Sequence, residues 1–225
     1  MARGVSVVPA RAARGAAWGA AWGLARRVAA GVAVLGALCA AAPHAASAQR
    51  GLIPPGFGTL RQEDISLQLQ IQGLIVTAVP LEESVIRTLS PDSYAALKAN
   101  RERMSRALDT VRTRLGLPSV QAWFVTFTNA ESGEARYDAD DVSIRSAGRD
   151  YRPLRILPLK PGFGDGRLAQ RVRQSAVYAF DPAVDLAQPL MLTAGAVSSS
   201  AWGDITQRIE RERALVWSRV PTPKP

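Results

Sequence analysis

The sequence predicts a mainly β protein: an antiparallel β-sandwich with one inserted amphipathic helix and a second helix near the C-terminus. Three observations predict it. Between Ser119 and Met191 short β-forming runs recur, at Val120–Thr128, Tyr137–Arg145, Tyr151–Leu159, Ser175–Phe180 and Leu190–Thr193. Turn-forming residues separate them, which is how strands of a sandwich are punctuated. Ahead of the series, Asp64–Val79 alternates apolar and polar residues, the period of a half-buried strand. Finally, two stretches, Ser90–Leu115 and about Trp202–Arg219, place apolar residues at helical spacing.

In chain order, residues 1–48 contain no Asp or Glu but five arginines, Arg3, Arg11, Arg14, Arg26 and Arg27, followed by the apolar run Val28–Ala42 and by Ala46-Ser47-Ala48. A basic start, an apolar run of about 7–15 residues and a small-x-small site describe a secretory signal. A membrane span takes about 20 apolar residues, so cleavage is expected near Ala48, which places the mature chain in the periplasm or outside the cell. Cys39 raises the alternative of a lipoprotein signal, but Leu38 precedes it and the run continues past it. Arg26-Arg27 raises twin-arginine export, although Val28-Ala29-Ala30 matches that signal poorly. The export route stays open, and an uncleaved signal would be the protein's contact with the membrane.

Taking 48 residues from 225 leaves 177, enough for one hydrophobic core. The whole chain carries a formal +9, from 28 basic and 19 acidic residues. With five of the basic residues in the signal, the mature part carries +4. That mild excess gives only weak support to a nucleic-acid or anionic-lipid partner, and no nucleic acid is expected. Cys39 and His44, both in the signal, are the single Cys and His of the chain. The mature part therefore lacks disulfides, thiolate nucleophiles, Cys/His zinc sites and a Ser-His-Asp triad.

Residues 49–63 contain Ile53-Pro54-Pro55-Gly56-Phe57-Gly58, a composition that blocks regular pairing and predicts a flexible linker; a docking peptide is the alternative. Residues 64–219 then form one domain. In Asp64–Val79, Ile65, Leu67, Leu69 and Ile71 alternate with Ser66, Gln68, Gln70 and Gln72, and Gly73 marks a bulge or bend. The helix over about 91–115 opens with Ser90 as N-cap, Pro91 at the first position and Asp92 at the positive end of the dipole. Tyr94, Leu97, Met104, Leu108, Val111 and Leu115 form its apolar stripe, interrupted by Arg101, and Gly116 with Pro118 ends it. Its opposite face carries Arg103, Arg106 and Arg114. A charged face is ordinarily solvated, but this one is also a candidate interaction surface.

Trp123, Val125 and Phe127 point one way in the first strand of the series, with Trp123 in the core. Glu131-Ser132-Gly133 has hairpin-turn composition, Ala147–Asp150 is another turn, and Lys160–Arg167, with three glycines, reads as a long mobile loop. The helix over about 202–218 buries Ile205, Ile209 and Val216, while Trp202 and Trp217 near its ends are candidates for exposed binding aromatics. Residues 220–225, with three prolines, read as a disordered tail.

Val125-Thr126-Phe127-Thr128-Asn129, Asp141-Val142-Ser143-Ile144 and Gly148-Arg149-Asp150-Tyr151-Arg152-Pro153, with Tyr178-Ala179-Phe180-Asp181-Pro182 further on, resemble immunoglobulin-like β-sandwich domains of secreted bacterial proteins of unknown function. The resemblance covers roughly Val120–Leu192, and its motifs encode strand geometry rather than chemistry. It implies an immunoglobulin-like sandwich and an exported location, and no activity.

For chemistry, Asp138, Asp140 and Asp141 are the densest acidic cluster and the candidate calcium ligands, against the plainer reading of a solvated turn. Gly162–Arg167 looks superficially like a phosphate loop but lacks the Gly-Lys-Ser/Thr ending. Glu82-Glu83 with Asp204 or Glu210 supplies carboxylates for a glycosidase-type pair, and Ser198-Ser199-Ser200 has no lysine nearby to activate it. The expectation is a non-enzymatic binding or assembly module of the bacterial cell envelope that needs no cofactor. Its partner would be an envelope protein or glycan, met through a surface including Arg103, Arg106 and Trp202. The alternative is a carboxylate-dependent, calcium-assisted enzyme acting on an envelope polymer.

Overall fold

Strand β3 (Gln121–Asn129) is the middle of the larger sheet in a computed structural model that describes residues 51–220. Residues 1–48, assigned to the signal, and the tail beyond Val220 lie outside the described residues. The five-stranded antiparallel sheet runs β1 (Leu67–Ile71), β2 (Leu74–Pro80), β3, β9 (Arg173–Phe180), β7 (Arg155–Pro158). A second antiparallel sheet runs β11 (Val197–Ser199), β10 (Leu190–Ala194), β5 (Val142–Ser146), β6 (Arg149–Tyr151). β4 (Ala135–Arg136) and β8 (Arg167–Leu168) form a short separate ladder. Three helices complete the described chain: α1 (Glu83–Ile86), α2 (Pro91–Arg114) and α3 (Trp202–Arg219). The architecture is thus mainly β, with antiparallel sheets and a C-terminal helix.

The stretch Asp64–Val79 is two strands rather than one. Gln72 and Gly73 have φ of 43° and 77°, the pair of left-handed residues that a two-residue type I′ hairpin demands. The chain reverses there, so Leu67 pairs with Ala78, Leu69 with Val76 and Ile71 with Leu74, all on one face. Ala147 and Gly148, with φ of 48° and 77°, make the same kind of turn between β5 and β6.

Two other expected strands are also divided. Tyr137–Arg145 contains a 3₁₀ turn, Ala139–Asp141, before β5 begins. Tyr151–Leu159 leaves the second sheet after Tyr151, and β7 joins the first. Pro153 falls between them and has no N–H to continue the ladder. Glu131–Gly133 does not close a hairpin, because β3 and β4 lie in different ladders.

The pairing of β3 with β9 sorts side chains to the two faces of the sheet. Trp123 opposes Tyr178 and Val125 opposes Ala176, all fully buried. One apolar core joins this face to Val142, Ile144, Leu190 and Leu192 of the second sheet and to Trp202, Ile205 and Ile209 of α3. Phe124, Val177 and Leu157 are paired across the other face, and α2 lies against β9, β3 and β7.

Residues 51–63 are not a free linker. Ile53 is buried and its carbonyl accepts from Arg87 Nη1 at 3.2 Å. Leu60 forms a parallel bridge with Leu89, the Leu60 N–H donating to Thr88 O at 3.1 Å and the Ser90 N–H to Leu60 O at 2.8 Å. From α3, Glu212, only 4% exposed, accepts from the Thr59 N–H at 2.9 Å, from Thr59 Oγ1 at 3.0 Å and from Arg219 at 2.8 Å. Composition misled because Pro and Gly block ladders but not packing. Gly58 is the point of closest approach: a Cβ there would sit 2.2 Å from the Thr88 carbonyl carbon. Gly58→Ala must therefore displace the segment, and we predict a loss of about 1–3 kcal/mol by urea unfolding. An unchanged midpoint would mean that the segment contributes nothing to stability.

Candidate functional site

Helix α2 forms where the sequence supplies a start, a stripe and a stop. Ser90, with extended backbone, precedes Pro91; Asp92 lies in the first turn and Arg112 and Arg114 in the last, each favourable to the helix dipole. Gly116 takes φ of 63° just beyond the end. The N-terminal half is held down by buried Tyr94 and Leu97. Towards the C-terminus burial falls off: Met104 and Leu108 are half-buried and Leu115 is 52% exposed.

That gradient leaves a groove of about 370 Å³ between the C-terminal half of α2 and edge strand β7. Its walls are Ala107, Val111 and Leu115 from the helix, and Leu154 and Leu157 from the strand side. Leu154 is 37% exposed. Arg114, Arg155 and Thr110 complete the lining.

Arg103 and Arg106 stand one turn earlier, four residues before Ala107 and Thr110, and so continue the same flank. The ion pairs of α2 use other residues: Lys98 with Glu102, Arg101 with Glu83, and Arg112 with Asp109. Among the described residues, Arg103, Arg106, Arg114 and Arg155 have no carboxylate within ion-pair distance. The charged face anticipated from the helix period thus borders an apolar groove, a juxtaposition that periodicity within one helix could not reveal.

Trp202 is elsewhere and is not a surface residue. It is 2% exposed, its ring lies 5.9 Å from that of Trp123, and its Nε1–H donates to Leu186 O at 2.9 Å. Its place at the start of α3 looked like an end position, but the helix enters the core there. Trp217 is 51% exposed. We predict that Trp202→Ala costs about 3–5 kcal/mol in unfolding free energy, as large aromatic truncations in cores do. A loss under about 1 kcal/mol would contradict this placement.

The acidic cluster does not converge. Asp138 begins the 3₁₀ turn and its Oδ1 accepts the Asp140 N–H at 2.9 Å. Asp138 and Asp140 line a cleft with Tyr137 and Phe163, whereas Asp141 lies near Gly195, beyond β10. The turn that divides the expected strand rotates these carboxylates apart. Among the described residues no group of three or more His, Cys, Asp or Glu gathers to hold a metal ion.

The glycine loop between β7 and β8 is fastened rather than free. The Gly164 N–H donates to Tyr137 Oη at 2.9 Å, Gln174 Nε2 donates to Gly162 O at 3.1 Å, and Phe163 packs on Phe127, Tyr137 and Tyr178.

Tyr178 donates to Ala139 O at 2.8 Å. Burial foremost, then the negative charge of Tyr137, Asp140 and Asp138, pushes its phenol above its ordinary 10.0. Burial likewise raises Tyr137. Below pH 10 the phenols are neutral in both folded and unfolded chains, so their contribution is intact. Above it the unfolded chain ionises first and stability is lost. We predict a fall in unfolding free energy from about pH 10 upward, flattened in Tyr178→Phe, which itself costs about 0.5–1.5 kcal/mol at neutral pH for the lost hydrogen bond. A wild-type stability that stayed level to pH 12 would refute it.

A further cleft, of about 470 Å³, lies over Trp202 and brings together Glu82, Asp185, Glu210 and Arg213. Glu210 is paired with Arg213, which also donates to Ser84 O at 2.5 Å. Asp185 Oδ1 is taken by the Ala187 N–H at 2.9 Å. Glu83 pairs with Arg87 instead, at 2.6 Å.

No protein-family model matches the chain. No curated protein matches it. Among solved structures the chain is similar to one described as a functionally unknown protein from Listeria monocytogenes EGD-e. That match has 15% identity over 60% of this chain and 74% of the other, with a TM-score of 0.31. A likeness of that size carries no argument about fold or role.

Proposed function

We propose that the mature chain is an exported, non-enzymatic binding or assembly module of the bacterial cell envelope, with an immunoglobulin-like arrangement of its two sheets. Its contact surface is the groove between α2 and β7. The observation that carries this reading is the pairing of exposed apolar walls with arginines that have no carboxylate partner among the described residues. Exposed large apolar side chains rimmed by charge mark interaction sites more often than bare surface. The signal-like N-terminal sequence supports export, and the shared core of the two sheets supports the sandwich arrangement.

A second reading, a carboxylate-dependent enzyme, draws on the cleft that Glu82 and Glu210 both line. It is weakened by the engagement of Glu210 with Arg213. Turnover of an envelope polymer that disappears in Glu82→Gln would favour it over the binding reading.

The discriminating experiment is in-cell crosslinking of the tagged full chain, comparing wild type with Arg114→Glu/Arg155→Glu. We predict a reproducible envelope protein partner whose recovery falls at least about tenfold in the double variant, the equivalent of roughly 1.4 kcal/mol in binding. Equal recovery from both, or no reproducible partner from wild type, would overturn the assignment of the groove.

A further inference from the structure

The chemistry of the groove narrows the kind of partner it fits, given the binding role just proposed. We propose that it takes an extended, acidic segment of a partner protein whose alternate residues are aliphatic, laid along β7.

Three observations converge on that occupant. The first is the open strand edge: β7 is the last strand of the five-stranded sheet. An exposed edge presents backbone groups to an added strand. β7 is short and carries Pro158, which has no N–H, so side-chain contacts must supply part of the affinity.

The second is the alternation on that strand. Arg155 and Leu157 oppose Ala179 and Val177 and face α2, while Ile156 and Pro158 face the other way and line a different cleft. A strand laid beside β7 would likewise send every second side chain towards the groove. Its floor, Val111 with Leu157, asks for aliphatic residues there, and about 370 Å³ lies within the range of real ligand clefts, roughly 300–1,000 Å³.

The third is charge. The groove is lined by two arginines and no acid, and Arg103 and Arg106 extend the positive flank. On the other flank of α2 the corresponding cleft contains Asp109, which pairs with Arg112. The asymmetry selects an anionic partner for this side alone. A bilayer is disfavoured because the apolar surface is recessed: a flat anionic membrane would meet the arginine heads and the tips of Leu115 and Leu154, but not the floor.

The test uses the purified chain and a fluorescent peptide of about eight alternating Glu and Leu residues, an ordinary strand length. Controls are a Lys/Leu peptide and phosphatidylglycerol vesicles. We expect saturable binding of the Glu/Leu peptide that weakens at least about tenfold between about 0.1 M and 1 M salt, as screening shortens. The Lys/Leu peptide should bind at least about tenfold more weakly. Arg114→Glu/Arg155→Glu and, separately, Leu154→Ser should each lose at least about tenfold, with thermal unfolding confirming that both exposed-site variants fold.

Equal binding of the two peptides, indifference to either variant, or binding of vesicles but not of peptide would overturn the proposal. A groove-dependent partner from cells combined with failure of the Glu/Leu peptide would sink the ligand chemistry and leave the module reading standing. Peptide binding without any cellular partner would do the reverse.

Discussion

A row of aromatic rings running through the core is the constraint on which the rest depends. Phe127 and Tyr137 lie 4.5 Å apart and both touch Phe163; Phe163 meets Tyr178, Tyr178 stacks on Phe180, Phe180 meets Trp123, and Trp123 meets Trp202. Apart from Tyr178 on Phe180 within β9, each contact joins separate pieces of chain: β3, the segment before the 3₁₀ turn, the glycine loop, β9 and the C-terminal helix. Such pairs add about 0.5–1.5 kcal/mol each beyond the area they bury, and their geometry fixes position as well as energy. The three glycines allow the loop to bend so that Phe163 reaches the row. This row and the aliphatic residues around it form the core of the described residues.

The second organising contact lies in the C-terminal half of the helix that Trp202 begins. Glu212 is buried and accepts three hydrogen bonds, two of them from Thr59. A buried carboxylate is tolerable only when paired and hydrogen-bonded; here Arg219 of the same helix supplies the charge pair and Thr59, 153 positions away, supplies the two further hydrogen bonds. The result ties residues following the predicted signal to the last helix. It makes the segment before the first strand part of the folded structure rather than a tether.

Between these fixed regions the protein leaves one face underpacked. α2 is anchored through Tyr94 and Leu97, but its C-terminal turns diverge from full burial just where β7 ends the sheet. A core-facing helix would ordinarily bury its whole stripe. Here Val111 and Leu115 continue the stripe into a solvent-facing groove, and the arginines beside them keep that apolar surface soluble. The same juxtaposition of charge and exposed leucine is what the proposed acidic partner segment would recognise.

The sequence by itself determined the elements whose information is local. The bounds of both long helices follow from Pro91, Gly116 and the apolar spacing. The β-rich class follows from alternation and turns, and the sequence shows that residues 51–220 contain neither Cys nor His. It exposed the arginines of α2 as a group, but not what they border. Tertiary structure decided whatever depends on distant partners. Gln72-Gly73 became a reversal rather than a bulge because the apolar faces of β1 and β2 belong on one side of the same sheet. Trp202 was drawn inward because Trp123 waits there. Residues 51–63 were fastened by Glu212 and Leu89, and the acidic turn was split so that its carboxylates part. The groove also belongs to this second kind. Its two walls come from α2 and β7, about forty residues apart, and only the pairing of β7 with β9 sets them side by side.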